Sequence, residues 1–204
     1  MLLKLENISK VYENGSSVKN ISFEVNEGES VALIGESGSG KTTIAKIIMG
    51  LTDKSSGNIY YKERDRIQYI FQNPYTSLNP KMNIKDIILE GIRYKKEYRE
   101  IDDIDEFLEN ILEEVGLEKI ILTKYPYELS GGQNQRIGIA RALVMKPTLL
   151  IADECFSSLD MLTQKQIVEL FEKIKRERNL AFLLITHDIS LVRKVADRIV
   201  NIDI

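Results

Sequence analysis

Residues 31–50 read VALIGESGSGKTTIAKIIMG. The first four form an apolar run typical of a buried strand, and Gly35–Thr42 fits the phosphate-loop pattern G-x-x-x-x-G-K-[ST]. The letters that follow, 43–50, predict a helix that Gly50 closes. Strand, glycine-rich loop and helix are the setting in which this pattern binds phosphate. Residues 31–50 therefore predict an α/β fold built around a nucleotide site.

The loop chemistry follows from its residue types. Gly38 and Gly40 let the backbone turn its N–H groups toward one anion, and the following helix adds a partial positive charge. We expect Lys41 to bind the β- and γ-phosphates of a nucleotide and the Thr42 hydroxyl to bind Mg²⁺. A flexible Gly/Ser turn is the alternative interpretation, and the flanking strand and helix argue against it.

The rest of the chain alternates between strand and helix patterns. Residues 2–8 and 18–25 alternate apolar and polar around Asn14-Gly15, which predicts a hairpin. Further elements are predicted as strands at 57–62, 67–71, 148–153, 181–186 and 198–202, and as helices within 73–126 and at 131–145, 163–178 and 189–196. This order predicts a mostly parallel sheet flanked by helices, with an N-terminal antiparallel β-subdomain and a helical insertion.

We expect a single domain over residues 1–204. Its core and β-subdomain would comprise 1–72 and 136–204, and its helical subdomain about 73–135. The net charge of −3 gives no indication of a nucleic-acid surface. We find no apolar run of membrane-spanning length and no signal-peptide pattern, which predicts a soluble, cytoplasmic chain. One cysteine and one histidine exclude an internal disulfide framework and a zinc site made from them.

Two adjacent carboxylates end an apolar run at Leu149–Glu154. Buried acids are costly unless they are paired or bound to a metal. A plain surface turn is the alternative interpretation, and the phosphate loop argues against it. Because neighbouring strand side chains point in opposite directions, we expect Asp153 to serve Mg²⁺ and Glu154 to face the γ-phosphate. Glu154 would there polarise the attacking water.

A second helix start lies at Leu129-Ser130-Gly131-Gly132-Gln133. Ser130 is a good helix N-cap, and the two glycines allow close approach of a backbone. The chain holds one phosphate loop but two helix N-termini suited to an anion. The second would reach the first site's γ-phosphate only if two copies packed head to tail.

The motifs together resemble those of ABC-type ATPases, in family order along nearly the whole chain. The resemblance implies that Gln72 senses Mg²⁺ and the attacking water, that His187 contacts the γ-phosphate, and that Tyr12 stacks on adenine. Ser157-Ser158-Leu159-Asp160 resembles the family's D-loop, which crosses the dimer interface. A packing tyrosine and a surface histidine are the plain alternatives for Tyr12 and His187.

The cofactors implied are ATP and Mg²⁺. Catalysis is assigned to Lys41, Gln72, Glu154 and His187, and Mg²⁺ to Thr42, Gln72 and Asp153. Nucleotide binding is assigned to Tyr12, Gly35, Glu36, Ser37, Gly38, Ser39, Gly40, Lys41, Thr42, Thr43, Gln72, Ser130, Gly131, Gly132, Gln133, Asp160 and His187.

A finer match is to the peptide/nickel importer subgroup, through Phe71–Pro80, Tyr125–Glu128 and Arg136–Leu143. The resemblance implies uptake of peptides or of nickel and related metal chelates. It also implies two transmembrane permease subunits, a second ATPase subunit (this chain or a sister), an extracytoplasmic substrate-binding protein, and a place at the cytoplasmic face of the membrane.

Three features depart from the family pattern. Cys155 stands where proline is usual after the catalytic glutamate, so we expect a looser turn. The thiol is either inert packing or an oxidisable group beside the site, and the sequence leaves both interpretations open. Seventeen residues follow His187 (188–204), which omits the C-terminal extension common in the subgroup. The short segment between Lys41 and Gln72 predicts a trimmed β-subdomain.

Three alternatives are weighed against an importer ATPase. An exporter ATPase is usually fused to its membrane helices, and this sequence shows no apolar run of that length. A non-transport ABC protein acting on DNA has a long coiled coil between the phosphate loop and Leu129–Gln133, where this sequence predicts only a short helical insertion. One acting on ribosomes has two ATPase domains and a basic chain, whereas this sequence has one phosphate loop and a net charge of −3. A GTP-binding switch protein requires an [NT]-K-x-D motif, which this sequence lacks.

Overall fold

The computed structural model describes residues 1–93, 101–156, 159–188 and 193–202. Its strands are β1 (Leu3–Val11), β2 (Ser17–Val25), β3 (Ser30–Ile34), β4 (Ser56–Tyr61), β5 (Ile67–Ile70), β6 (Leu149–Asp153), β7 (Ala181–Ile185) and β8 (Arg198–Asn201). Its α-helices are α1 (Lys41–Met49), α2 (Pro74–Ser77), α3 (Ile84–Arg93), α4 (Ile104–Glu114), α5 (Gly131–Leu143) and α6 (Met161–Arg178). Short 3₁₀ turns cover Arg64–Arg66, Lys119–Thr123 and Pro126–Glu128.

A five-stranded parallel sheet in the order β5-β6-β7-β3-β8 forms the centre of the molecule. Every residue of β3, β6 and β7 is buried, as expected for parallel strands covered on both faces. Alternate side chains enter two separate cores: Leu150 and Ala152 pack with the helices α3–α6, whereas Leu149 and Ile151 pack with α1 and the N-terminal sheet.

The N-terminal sheet is antiparallel, in the order β2-β1-β4. The hairpin predicted around Asn14-Gly15 is present, because β1 and β2 pair from Leu3↔Val25 to Val11↔Ser17. This three-stranded sheet and α1 cover the same face of the parallel sheet, so the β-subdomain lies next to the phosphate-loop helix.

The helical insertion contains α2, α3 and α4, as the 3.6-residue spacing predicts. Its apolar side chains join the core of α5 and α6, so it is packed onto the sheet's other face. The domain division at about 73 and 135 stays a prediction. Of the helix predicted at 189–196, residues 189–192 lie outside the described residues, and so do Ser157 and Ser158 of the predicted D-loop.

The carboxyl ends of β3, β5, β6 and β7 meet at one edge of the sheet. The phosphate loop follows β3, Gln72 follows β5, Asp153 and Glu154 end β6, and His187 follows β7. In open parallel sheets, ligands bind outside this edge. The topology therefore collects the predicted residues at the place where a ligand would bind.

Candidate nucleotide-binding site

The phosphate loop joins β3 to α1 through two glycines with left-handed backbone. Gly38 has φ 86° and Gly40 has φ 93°, a region that other residues adopt at a cost. Gly40 also lacks room for a side chain, because an added Cβ would lie 2.0 Å from Val18 Cγ2. The loop's sharp turn therefore depends on glycine both for conformation and for space.

Lys41 is buried beneath this loop. Its Nζ donates to the carbonyl oxygens of Gly35 and Glu36, each at 2.8 Å, and lies 3.5 Å from Ser39 Oγ. Ser39 N donates in turn to Glu36 O at 3.1 Å. The loop thus holds a positive charge next to its own backbone N–H groups, as a phosphate site requires.

A cleft of about 380 Å³ opens over the loop and is polar in character. It is lined by Ser37, Gly38, Gly40, Lys41, Thr42, Thr43, Gln72, Glu154 and His187. Four segments far apart in sequence therefore share one cavity. All four residues predicted to be catalytic line it.

Glu154 and His187 form a pair in this cleft. His187 Nδ1 lies 3.0 Å from Glu154 Oε1, and Glu154 N donates to Ile185 O at 2.8 Å. Strand alternation is not what orients Glu154, because β6 ends at Asp153 and Glu154 adopts φ 48°. A left-handed non-glycine residue is strained, and such strain is characteristic of functional sites.

Asp153 is buried behind the cleft and is bound by a residue that sequence analysis missed. Its Oδ2 accepts a hydrogen bond from the Tyr69 hydroxyl at 2.5 Å. Burial, and then the bond to Asp153, raises the pKa of Tyr69, so its hydroxyl stays a donor. No local pattern signals this bond, because it depends on β5 pairing with β6 at Tyr69↔Ile151.

The residues predicted for Mg²⁺ fit that ion by chemistry. Asp153 Oδ1 is buried and has no hydrogen-bond partner among the described residues. Thr42 and Gln72, whose side chains carry oxygen atoms, line the cleft together with Glu154. Oxygen donors of this kind suit a hard divalent cation, and an unpaired buried carboxylate oxygen is costly without one.

Tyr12 lies beside the phosphate-loop helix. Its hydroxyl is 3.2 Å from Thr43 Oγ1, and Lys10 Nζ lies 5.4 Å from the ring centroid. Tyr12 is 36% exposed, which leaves part of the residue available to a ligand. Stacking on adenine stays a prediction.

Ser130–Gln133 and Asp160 are not among the described residues that line the cleft. Ser130 is the N-cap of α5: its hydroxyl accepts from Gln133 N at 3.2 Å, and Gln133 Oε1 accepts from Ser130 N at 2.9 Å. Asp160 is the N-cap of α6. Within one chain these residues shape helix ends, so a role at a phosphate requires a second chain.

Cys155 is fully buried in the helical core. Burial raises the pKa of its thiol well above the usual range. A protonated, inaccessible thiol is unreactive, which favours packing over the oxidisable site considered above.

The family model for ABC transporters matches residues 18–157. The chain belongs to the ABC transporter family. It is 43% identical to the oligopeptide transport ATP-binding protein AmiF of Streptococcus pneumoniae, over 97% of this chain and 70% of AmiF. It is 44% identical to the oligopeptide transport ATP-binding protein OppF of Streptococcus pyogenes serotype M1, over 90% of this chain and 64% of OppF.

Solved structures of the family share the fold. CbiO1 of Clostridium perfringens, part of the transporter complex CbiONQ, superposes with a TM-score of 0.86 at 28% identity, over 99% of this chain and 84% of CbiO1. The ATP-binding cassette MJ0796, a post-hydrolysis dimer bound to ADP and Pi, superposes with a TM-score of 0.82 at 30% identity, over 99% of this chain and 94% of MJ0796. The predicted α/β architecture and the ATPase class are confirmed.

The membership also decides between the competing interpretations. An ABC transport ATPase is supported over a GTP switch protein or an ABC protein acting on DNA or ribosomes. Among the described residues, none of the helices is long and apolar enough to cross a membrane.

Proposed function

We propose that this chain is the ATP-hydrolysing subunit of an ABC importer that takes up peptides, at the cytoplasmic face of the membrane. The observation that carries the proposal is the single cleft in which the phosphate loop, Gln72, Glu154 and His187 meet. The names of AmiF and OppF support peptide as the cargo class. Nickel, the other predicted cargo, has no comparable support from these relatives.

ATP binds with its phosphates in the loop. The backbone N–H groups around Gly38 and Gly40 and the N-terminus of α1 would face the β-phosphate. Lys41, which donates to the carbonyl oxygens of Gly35 and Glu36, would exchange them for phosphate oxygens. Tyr12 covers the adenine. Thr42, Gln72 and Asp153 would hold Mg²⁺, which supplies neutralisation of charge on the β- and γ-phosphates.

Glu154 acts as general base on the attacking water. Its carboxylate is mostly buried and is paired with His187, so its orientation is fixed at the mouth of the cleft. A carboxylate in this position orients water for in-line attack on the γ-phosphorus and accepts its proton. His187, with its other ring nitrogen, contacts the γ-phosphate and links it to Glu154.

The site is completed by a second ATPase subunit, either a second copy or a sister chain. Ser130 and the backbone of Gly131–Gln133 lie outside the chain's own cleft and present an anion-binding helix N-terminus. A head-to-tail pair places this terminus over the partner's γ-phosphate. ATP then closes the pair, and hydrolysis opens it.

The two permease subunits bind one to each ATPase chain of the pair, where the helical subdomain meets the sheet. An apolar groove of about 490 Å³ lies there, between α3, α5 and the end of β5. Its lining includes Leu51 and Phe71, which are 62% and 45% exposed, and Phe71 precedes Gln72. Exposed apolar side chains in a concave surface favour a partner, and their continuity with Gln72 connects that partner to the cleft.

A co-purification experiment tests the proposal. The tagged chain is recovered from detergent-solubilised native membranes, and its companions are identified by mass spectrometry. We expect two multi-span membrane proteins and a sister ATPase or further copies of this chain, with a peptide-binding protein captured under cross-linking. Leu51→Glu should abolish recovery of the membrane proteins, because it places a charge in the groove.

Ile120→Glu is the matched control. Ile120 is 66% exposed but lies outside the groove, so its charge should leave recovery unchanged. Recovery of soluble or ribosomal partners alone would contradict the transporter, and a metal-chelate-binding companion would contradict peptide as cargo.

A further inference from the structure

Gly132, in the first turn of α5, is packed tightly against the start of α6. A Cβ added at Gly132 would lie 2.6 Å from Thr163 Cγ2, with Thr163 Oγ1 and Cβ at 3.7 and 3.8 Å. A real Cβ does not approach another carbon that closely, and the near atom is a single methyl group. The requirement for glycine at this position within the chain therefore comes from the Thr163 methyl.

Thr163 is itself held in place by Asp160. Its Oγ1 donates to Asp160 Oδ2 at 2.6 Å, and Asp160 Oδ1 accepts from Leu162 N and Thr163 N at 3.1 and 3.0 Å. A β-branched side chain has few rotamers, and its hydroxyl bond selects one of them. Fixing the hydroxyl therefore fixes the direction of the methyl that contacts Gly132.

Other glycines of the same helix lack this constraint. A Cβ at Gly131 would meet Tyr75 Oη at 3.4 Å and Leu159 Cδ2 at 3.7 Å, which are ordinary contacts. A Cβ at Gly138 would meet nothing within 4 Å. The close contact is specific to Gly132, the glycine whose backbone the head-to-tail pair would bring to a phosphate.

We propose that Thr163 is a positioning residue that joins Asp160 to Gly132, so that the end of the D-loop and the helix start at Ser130–Gln133 of one chain move as one unit. This role rests on the ATP-driven pair of the proposed function. For the dimer to close, both segments must contact the partner at the same time and in a fixed relative position. A rigid contact between the two segments within each chain keeps that relative position.

A double-substitution experiment tests the contact. In a Glu154→Gln background, ATP-dependent self-association is measured for Gly132→Ala, Thr163→Ser and the combination. Gly132→Ala should weaken association by roughly 5- to 100-fold through overpacking, and Thr163→Ser by roughly 3-fold through loss of the methyl. The combination should recover to within about 3-fold of the parent, because the alanine methyl occupies the space of the missing one.

Two controls separate positioning from general damage. Gly138→Ala makes the same change in the same helix and should not weaken association. ATP affinity, measured with a fluorescent analogue on chains diluted until they stay unpaired, should be equal in all variants, because neither Gly132 nor Thr163 lines the chain's own cleft.

The outcomes are distinguishable. A combination no better than Gly132→Ala alone would overturn the inference. Equal loss in Gly138→Ala would do the same. Failure of the Glu154→Gln parent to associate would contradict the dimer step of the proposed function and, with it, the positioning role. In that case, melting temperatures of the four chains still show whether the Thr163 contact exists.

Discussion

Asp153 and Glu154 are adjacent acids with different surroundings. Asp153 is buried, with one oxygen bound to Tyr69 and the other without a partner among the described residues. Glu154 turns out of the strand with a left-handed backbone and faces His187. One carboxylate is therefore suited to a cation and its neighbour to a water molecule.

Tyr69→Phe tests the environment of Asp153. It leaves a buried carboxylate without its hydrogen-bond donor, which should lower the free energy of unfolding by about 1–3 kcal/mol. We also expect a higher Mg²⁺ requirement for ATP turnover. Urea unfolding and a Mg²⁺ titration measure the two effects.

Tyr60→Phe is the matched control for that change. The Tyr60 hydroxyl donates to Glu6 Oε2 at 3.3 Å on an exposed surface, so the loss should stay below about 0.5 kcal/mol. Equal effects of the two substitutions would show that Tyr69 has no special relation to Asp153.

Lys41→Ala removes the cation held under the phosphate loop. ATP turnover should fall by roughly 100-fold or more, because a positioned charge on the phosphates is lost. Lys46→Ala, an exposed lysine of the same helix, should leave turnover unchanged. Near-normal turnover in Lys41→Ala would contradict the assignment of this loop.

At the scale of single residues, the sequence predicted local motifs but not contacts between residues far apart in the chain. The phosphate loop, with Gly38, Gly40 and Lys41, follows from eight consecutive letters and their flanks. The Tyr69–Asp153 and Thr163–Gly132 contacts join residues more than 30 positions apart and depend on strand pairing and helix packing. No local pattern encodes either of them.

The elements explain why the site residues gather. Buried parallel strands are recognised in sequence as short apolar runs. Here β6 ends in Asp153, β3 is followed by the phosphate loop, and β7 is followed by Thr186 and His187. The order of the strands in the sheet cannot be read from these apolar runs. β5 lies beside β6 although 78 residues, 71–148, separate them, and that neighbourhood brings Gln72 to Glu154.

An ion pair fastens the end of α4 to the end of α6. Arg178 donates through Nε and Nη2 to both carboxylate oxygens of Glu114, and Arg136 Nη1 donates to Val115 O at 2.5 Å. Cations at a helix C-terminus are also favoured by its dipole. These bonds hold the helical insertion against the core.

Arg178→Ala should lower the free energy of unfolding by about 1–2 kcal/mol, since a two-point pair with a mostly buried Glu114 is lost. Lys165→Ala breaks the exposed pair with Glu169 and should cost less than about 0.5 kcal/mol. Denaturant unfolding compares them. A cost for Lys165→Ala equal to that for Arg178→Ala would contradict a fastening role.

In the proposed function, the whole molecule is one half of a working unit. It holds a phosphate-binding cleft, the Ser130–Gln133 helix start outside that cleft, and an apolar groove next to Gln72. Sequence could predict the need for a second subunit by counting phosphate loops and anion-binding helix starts. It could not locate the groove, whose lining includes Leu51, Phe71 and Met145 from the segments that follow α1, β5 and α5.

The measurement that tests the central claim most directly is ATP hydrolysis by Glu154→Gln, compared with the unaltered chain and with Glu172→Gln, an exposed acid on α6. The amide keeps the shape of the side chain but cannot accept the proton of the attacking water. We expect ATP binding to persist, turnover to fall by roughly 100- to 10,000-fold, and Glu172→Gln to match the unaltered chain. Turnover near the unaltered rate in Glu154→Gln would contradict the account of the cleft as a hydrolytic site with Glu154 as its base.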